Sequence, residues 1–356
     1  MQNSTNKPKI LGIEGLRGLS VVSTVFAHLP VTTAIFSHLG LISPWHMGVS
    51  LFYVISGFLI SASITSDSYS FGKFLFRRVA RLYPILVLSL ILYYIICSFL
   101  DTNNKIIVQF YNDKYWKTIF YSNMLAISDI APYSAQNTLA SGGLWSISVE
   151  IKFYIVIALL MTLGRTKYRV VLVGGLVLGL FVRTVLIIFN DEYAYSHMFY
   201  VEAFLVGALV HQFQSRKLVT PMYLYFSFLF IVLFPSILVK NMFFMVEYII
   251  LLISLGIIIS HASRSNAKFF MWKHWCWLGE RSYTIYIFHF HVLALSGLVA
   301  QLLGLNYNFI LYNTILFLSI IVSLIIIDKI YTSIEKPLIH YSKIITSNNI
   351  KIKNTL

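Results

Sequence analysis

Charge is what this sequence has least of. Of its 356 residues only 11% are charged, while 58% are apolar. A soluble domain carries about 25% charged residues, so a chain this poor in charge cannot cover itself for water. Cysteine is scarce as well. Cys97 falls in an apolar run and Cys276 in a basic loop, which argues against a disulfide framework and against a thiolate metal site. No zinc-finger spacing and no RNA-binding signature accompany the net charge of +14, so it does not point to nucleic acid. Membrane proteins carry such an excess of Lys and Arg in their cytoplasmic loops. No internal repeat is found and no segment reads as a soluble domain. The first apolar run lacks a small-residue cleavage site and therefore reads as a span, not a removable signal.

What is present is a succession of apolar runs, each about the 20 residues that cross a bilayer as a helix. They predict an all-α fold, a polytopic transmembrane bundle of about ten spans: 12–34, 46–65, 84–100, 144–163, 169–189, 197–212, 220–239, 243–261, 282–304 and 309–331. Basic residues concentrate in alternate connections, for instance Lys73, Arg77, Arg78 and Arg81 in one, and Arg264, Lys268, Lys273 and Arg281 in another. That alternation places both termini in the cytoplasm. One transmembrane domain then covers 1–345, with a short polar tail at 346–356. The long connection 101–143 falls on the outer side, contains the amphipathic piece "YWKTIFYSNMLAI", and is read as shaping an outward-facing site.

Arg17 and His28 stand out in the first run, "LRGLSVVSTVFAH". Eleven residues turn a helix by ~1100°, three turns plus ~20°, so both side chains leave one face, ~16 Å apart along the axis. Ionisable groups at such depth usually face a bundle interior or a wet cavity. A cation at the mouth and a base three turns deeper suit a long ligand with an anionic end and a reactive far end, the shape of acyl-coenzyme A. A snorkelling arginine and a structural histidine are the plainer alternative.

Other polar groups lie at depth. Glu150, in "LWSISVEIKFY", reaches the level of His28, where a carboxylate beside the imidazole would fix its tautomer. The alternative is an ion pair between helices. "FRRVARLYP" reads as an interfacial helix ending at Pro84, on which Arg77, Arg78 and Arg81 converge to clamp phosphates. Ordinary loop charge or contact with anionic lipids is the competing reading. His289 and His291 are two residues apart and point to different sides, which disfavours a metal site on one face. His289 is expected to face the bundle and line the donor site. Arg183 and Glu202 are expected to form a buried ion pair or to touch a polar acceptor.

Several of these stretches together resemble the acyltransferase-3 family of integral-membrane acyltransferases. "GIEGLRGLSVVSTVFAH", "GVSLFYVISGFLIS", "FRRVARLYP", "LWSISVEIKFY", "LGERSYTIYIFHFHVL" and "SIEKPL" occur in the family's order over residues 10 to 338. Each is weak singly; six in order are specific. The resemblance implies about ten helices and acyl transfer from cytoplasmic acetyl-coenzyme A, a donor substrate and not a resident cofactor, to an extracytoplasmic acceptor. It implies that Arg17 and His28 are the family's Arg/His pair, that Arg77, Arg78 and Arg81 are its basic motif, and that Glu150 is its acidic position. The chain departs from the family pattern at Glu14 and Ser50, where Asp is frequent, and at Ile151 and Lys152.

The expected protein is therefore a multi-pass O-acetyltransferase of a bacterial inner membrane. Its partners would be acetyl-coenzyme A, membrane lipids and a lipid-linked or surface glycan such as lipopolysaccharide O-antigen or capsular polysaccharide. A homo-oligomer is left open. The rival readings are a transporter or flippase for a glycan or lipid, which also needs ionisable groups at depth, and a sensor without chemistry.

Overall fold

The computed structural model describes residues 10–38, 44–65, 70–100, 110–111, 113–129, 143–160, 165–189, 201–213, 242–264, 267–305 and 308–353. Every regular element among them is helical. In order they are α1 (Leu11–Ala27), α2 (Pro30–His38), α3 (Pro44–Ile64), α4 (Phe71–Phe99), a 3-10 turn (Asp113–Tyr115), α5 (Trp116–Met124), α6 (Trp145–Leu160) and α7 (Arg165–Phe189). There follow α8 (Val201–Phe213), α9 (Met242–Ala262), α10 (Lys273–Glu280), α11 (Ser282–Leu302), α12 (Phe309–Ile330), a π-turn (Tyr331–Glu335) and α13 (Lys336–Lys353). Among the described residues four stretches are long and apolar enough to cross a bilayer: Met47–Ile64, Phe71–Phe99, Ser282–Leu302 and Phe309–Thr346. Tyr168–Val182, Val201–Phe213 and Ile249–Ala262 are apolar but shorter. The expected span 220–239 lies outside the described residues. The chain is a multi-pass, all-helical membrane protein. Ile310, Val322, Ile325 and Ile326 of α12 are exposed, as a lipid-facing surface requires.

Two helices end differently from the sequence expectation. The run 12–34 is not one helix, because Pro30 has no N–H to offer the carbonyl of Phe26. The amides of His28 and Leu29 instead close tighter bonds to Val25 (3.2 Å) and Phe26 (3.1 Å), and Pro30 restarts the chain as the first residue of α2. His28 thus caps α1 and does not lie inside a continuous helix. Conversely, α4 does not end at Pro84. It runs 29 residues through the proline. Neighbours bond its carbonyls and groups in that turn: the Tyr283 hydroxyl donates to the Leu82 carbonyl at 2.6 Å, and the Tyr83 hydroxyl donates to the Met124 carbonyl at 3.1 Å.

That second bond belongs to the connection after α4, part of which packs against the bundle. Trp116 at the start of α5 stacks on Tyr94 of α4 with ring centroids 4.9 Å apart, while Met124 at its end meets Tyr83. Eleven residues of α4 separate those contacts, so α5, nine residues and ~13 Å long, runs beside it. Its end is closed by Ala126 at φ 54° and by the bond from Ile127 N to the Ser122 carbonyl, 2.7 Å. Asp129, nearly buried, then pairs with Lys152 Nζ at 2.6 Å, and Ser128 bonds Ser148. The segment 113–129 packs along the bundle through Ile119, Ser122, Asn123, Ala126 and Ser128, which are buried.

Close approach of small residues holds the bundle together, as is usual where lipid removes the hydrophobic drive between helices. A Cβ on Gly15 would lie 1.6 Å from the Phe270 carbonyl oxygen, and one on Gly18 2.1 Å from that of Trp275, so α1 lies against the segment leading into α10. Gly57 of α3 and Gly207 of α8 do the same for each other's helix, at 2.0 Å and 1.9 Å from backbone oxygens of Phe204 and Val54. Gly15→Leu is expected to destabilise the protein by at least about 2 kcal/mol, because backbone must move to admit the side chain. Gly72→Ala, with nothing within 4 Å of the added carbon, should be silent. Thermal unfolding in detergent checks both, and equal melting of Gly15→Leu and wild type would contradict the packing.

Candidate active site

Two cavities meet inside the bundle. A narrow one has a volume of about 60 Å³ and a wide one about 760 Å³. Arg17, Arg78 and Arg81 line both, so three guanidiniums form the neck between them. Arg17 projects from α1 and is 9% exposed, with Glu14 one turn earlier at 3.4 Å. Arg78 is clamped between rings, 5.3 Å from the centroid of Phe74 and 4.8 Å from that of Tyr154. The structure thus brings together Arg17, Arg78 and Arg81 of the expected clamp. Arg77 joins only the wide cavity, where its Nε donates to Thr346 Oγ1 at 2.6 Å.

Glu335 is a residue that the sequence reading left without a role. It closes the π-turn between α12 and α13, a form often found at functional positions. Thr284 Oγ1 donates to its Oε2 at 2.5 Å, while its Oε1 is buried without a partner among the described residues. It shares the wide cavity with the three arginines. Only its place in "SIEKPL" hinted at this. Nearby, Arg281 ties α11 to α12 through Asp328 at 2.5 Å and stacks on Trp277 and Tyr331.

The narrow cavity has aromatic and aliphatic walls from α3, α4, α6 and α11, into which Ser56, Ser146, Glu150 and Ser282 bring polar groups besides the three arginines. Glu150 of α6 accepts from Ser56 Oγ at 2.8 Å and from the Tyr154 hydroxyl. The expected contact of Glu150 with His28 is not made. The carboxylate leaves the side of α6 that faces α3 and the arginines, one turn short of Ser146 and Tyr286, beyond which the imidazoles lie. The hydroxyl of Ser282 also lines this cavity and is buried without a partner among the described residues. Tyr286 closes the far end. Its hydroxyl bonds Ser146 Oγ at 2.7 Å and the Gly143 carbonyl at 3.0 Å, and its ring meets Phe52 at 5.9 Å.

Behind Tyr286 stand the imidazoles. His289 is 5.5 Å from Tyr286, and His28 is 5.2 Å from His289, measured between ring centroids. His28 is partly exposed and is not on the wall of the narrow cavity. Its Nδ1 donates to the Thr24 carbonyl at 2.7 Å. A carbonyl only accepts, so the neutral ring carries its proton on Nδ1 and presents a lone pair on Nε2. The backbone therefore sets the tautomer that a carboxylate was expected to set.

His291 points elsewhere, as its two-residue offset from His289 requires, and bonds Ser89 Oγ at 2.8 Å and the Tyr111 hydroxyl at 3.2 Å. Tyr111 lies in the connection before α5; burial pushes its pKa above the ordinary value, so the hydroxyl keeps its proton. Glu202 is buried on α8 and packs on Gly179. The side chain of Arg183, its expected partner, lies outside the described residues. Among the described residues no group of three His, Cys, Asp or Glu side chains is arranged to hold a metal ion.

A neck of arginines, a lined channel and an imidazole beyond it accord with the comparisons to known proteins. The model of the acyltransferase domain matches residues 10–329, and the chain belongs to that family, acyltransferase-3. Among similar proteins, a putative peptidoglycan O-acetyltransferase of Bacillus subtilis, YrhL, is 26% identical over 92% of this chain and 55% of its own length. The O-acetyltransferase OatA of Staphylococcus aureus is 26% identical over 79% of this chain and 50% of its own. The peptidoglycan O-acetyltransferase OatA of Listeria monocytogenes is 25% identical over 92% and 55%. The chain spans about half the length of these relatives. No solved structure matches it.

Thr284→Val keeps the shape of Thr284 but removes the donor to Glu335. It is expected to cost about 1–3 kcal/mol, the penalty for a buried polar group left unmatched, while Thr284→Ser should not. Thermal unfolding in detergent separates the two, and an unchanged melting temperature for Thr284→Val would show that the bond contributes nothing.

Proposed function

We propose that this protein is an O-acetyltransferase of the bacterial inner membrane, with about ten spans and both termini in the cytoplasm. It moves an acetyl group from cytoplasmic acetyl-coenzyme A to a hydroxyl of an extracytoplasmic glycan. The observation that carries this reading is the set of Arg17, Arg78 and Arg81, shared by a wide cavity and a narrow one with aromatic walls. Guanidinium forks suit phosphates, and a channel with aromatic walls and polar groups among them suits a pantetheine arm. The phosphates occupy the wide side, and the arm runs toward Tyr286 past Ser282 and Glu150. Arg17 and His28 lie ~16 Å apart along α1, a span the arm can bridge.

Tyr286 stands between the channel and the imidazoles, so its ring must swing aside for the thioester to meet the acceptor. The Nε2 lone pair of His28 then takes the hydroxyl proton. The oxygen attacks the thioester carbonyl, the C–S bond breaks, and the departing thiolate receives that proton from the imidazolium. Ester and free thiol are the products. The partial exposure of His28 supports arrival of the acceptor from the side away from the arginines. The relatives named for peptidoglycan widen the acceptor class to envelope glycans in general, beyond O-antigen and capsular polysaccharide.

His28→Ala is expected to abolish glycan-dependent thiol release from acetyl-coenzyme A by the purified protein and to leave coenzyme A affinity within about twofold, since the side chain lies beyond the donor channel. Retained release would end the role given to His28. Arg78→Ala is expected to weaken coenzyme A binding about tenfold at low ionic strength and less at high salt, where screening already reduces what the charge contributes. Calorimetric titration at two salt concentrations checks this, and an unchanged affinity at low salt would remove the phosphate clamp.

A further inference from the structure

His289 is the deepest titratable group near the junction, and its two nitrogens differ. Nδ1 donates to the Tyr286 carbonyl at 2.6 Å, which leaves the lone pair on Nε2. That nitrogen is buried, in a side chain 2% exposed, and has no partner among the described residues. His291, one strand of side chains away on the same helix, has both nitrogens bonded. Native interiors rarely leave such an acceptor unmatched, and the exceptions concentrate where a ligand completes the set.

The position narrows the ligand. His289 lies between Tyr286, which closes the donor channel, and the partly exposed His28. Phe290 covers a further side, with its ring centroid 4.1 Å from that of His289 and 4.6 Å from that of His28. Any group meeting Nε2 must donate a hydrogen. A thioester has none to give, whereas a sugar carries several hydroxyls on adjacent carbons.

We infer that Nε2 of His289 accepts a hydrogen bond from a second hydroxyl of the glycan acceptor, next to the hydroxyl that His28 deprotonates. His289 is thus an acceptor-binding residue, and not part of the donor site where its sequence context had placed it. The inference rests on the acyltransferase reading above. It makes a sugar with neighbouring free hydroxyls the preferred acceptor over a simple alcohol.

Two substitutions separate binding from mere structure. The amide of Asn reaches where Nδ1 stands and can keep the bond to the Tyr286 carbonyl, but it loses Nε2. The amide of Gln reaches where Nε2 stands and loses the bond to Tyr286. Full-length wild type, His289→Asn and His289→Gln are expressed at matched membrane levels in a strain lacking the gene. O-acetyl released from envelope glycan by mild alkali is measured, together with coenzyme A affinity of each purified protein in nanodiscs. The expected result is a loss of O-acetyl of about tenfold in His289→Asn, a smaller loss in His289→Gln, and coenzyme A affinity within about twofold in both. Wild-type acetylation by His289→Asn, or a greater loss in His289→Gln than in His289→Asn, would overturn the inference. So would a fall in coenzyme A affinity, which would assign the nitrogen to an amide of the donor. If wild type adds no O-acetyl over the deletion strain, the acyltransferase reading itself fails, and the inference with it.

Discussion

Three guanidiniums gathered inside an apolar bundle are the constraint on which the rest of this structure depends. Positive charges in such a place repel one another and lose hydration, so they persist only where something compensates. Glu14, Glu150 and Glu335 exert a favourable field on Arg17 and Arg81, and two aromatic faces enclose Arg78. Only the Glu14 contact is a direct pair with one of the three among the described bonds, at 3.4 Å. The donors of the neck therefore face the cavities. An anion with several oxygens answers that arrangement better than a single carboxylate would.

From the neck, helix direction does the positioning. α1 and α11 run the same way, so Arg17 and Ser282 mark the cationic end, and His28 and His289 mark the other. α6 runs opposite, which brings Tyr154 beside Arg78 and Ser146 beside Tyr286. The result is one line of groups: arginines, Glu150 with its hydroxyl partners, Tyr286, then the two imidazoles. Tyr286 belongs to both halves, since its ring closes the channel and its carbonyl holds the His289 ring. Movement of that residue would couple access of the donor to the state of the imidazoles.

Much of this was legible in the sequence where a single helix carried the information. Arg17 and His28 were legible as polar groups of one helix, and the structure puts Arg17 on the walls of both cavities and His28 at the end of α1 beside His289. Arg78 and Arg81 were legible as a cluster. What needed a second helix was not legible. Glu150 lies between the arginines and Tyr286, short of the level of His28, and points to Ser56 and Tyr154. α4 continues through Pro84 because partners on α11 and α5 sit against that turn. The packing of α5 and the residues after it depends on Tyr83, Tyr94 and Lys152, which lie on other elements. The break at Pro30 was open to view, and the length of the apolar run outweighed it. Glu335, Ser282 and His289 are notable for bonds they do not make, a property that only packing reveals.

The most direct test of the account is a cryo-electron microscopy map of the full protein with a non-hydrolysable acetyl-coenzyme A analogue. The account predicts phosphate density within hydrogen-bond distance of Arg17, Arg78 and Arg81. It also predicts an arm filling the narrow cavity, with its acyl end at a displaced Tyr286 ring facing His28. Phosphates bound away from those three guanidiniums, or an arm that leaves the narrow cavity empty, would contradict it.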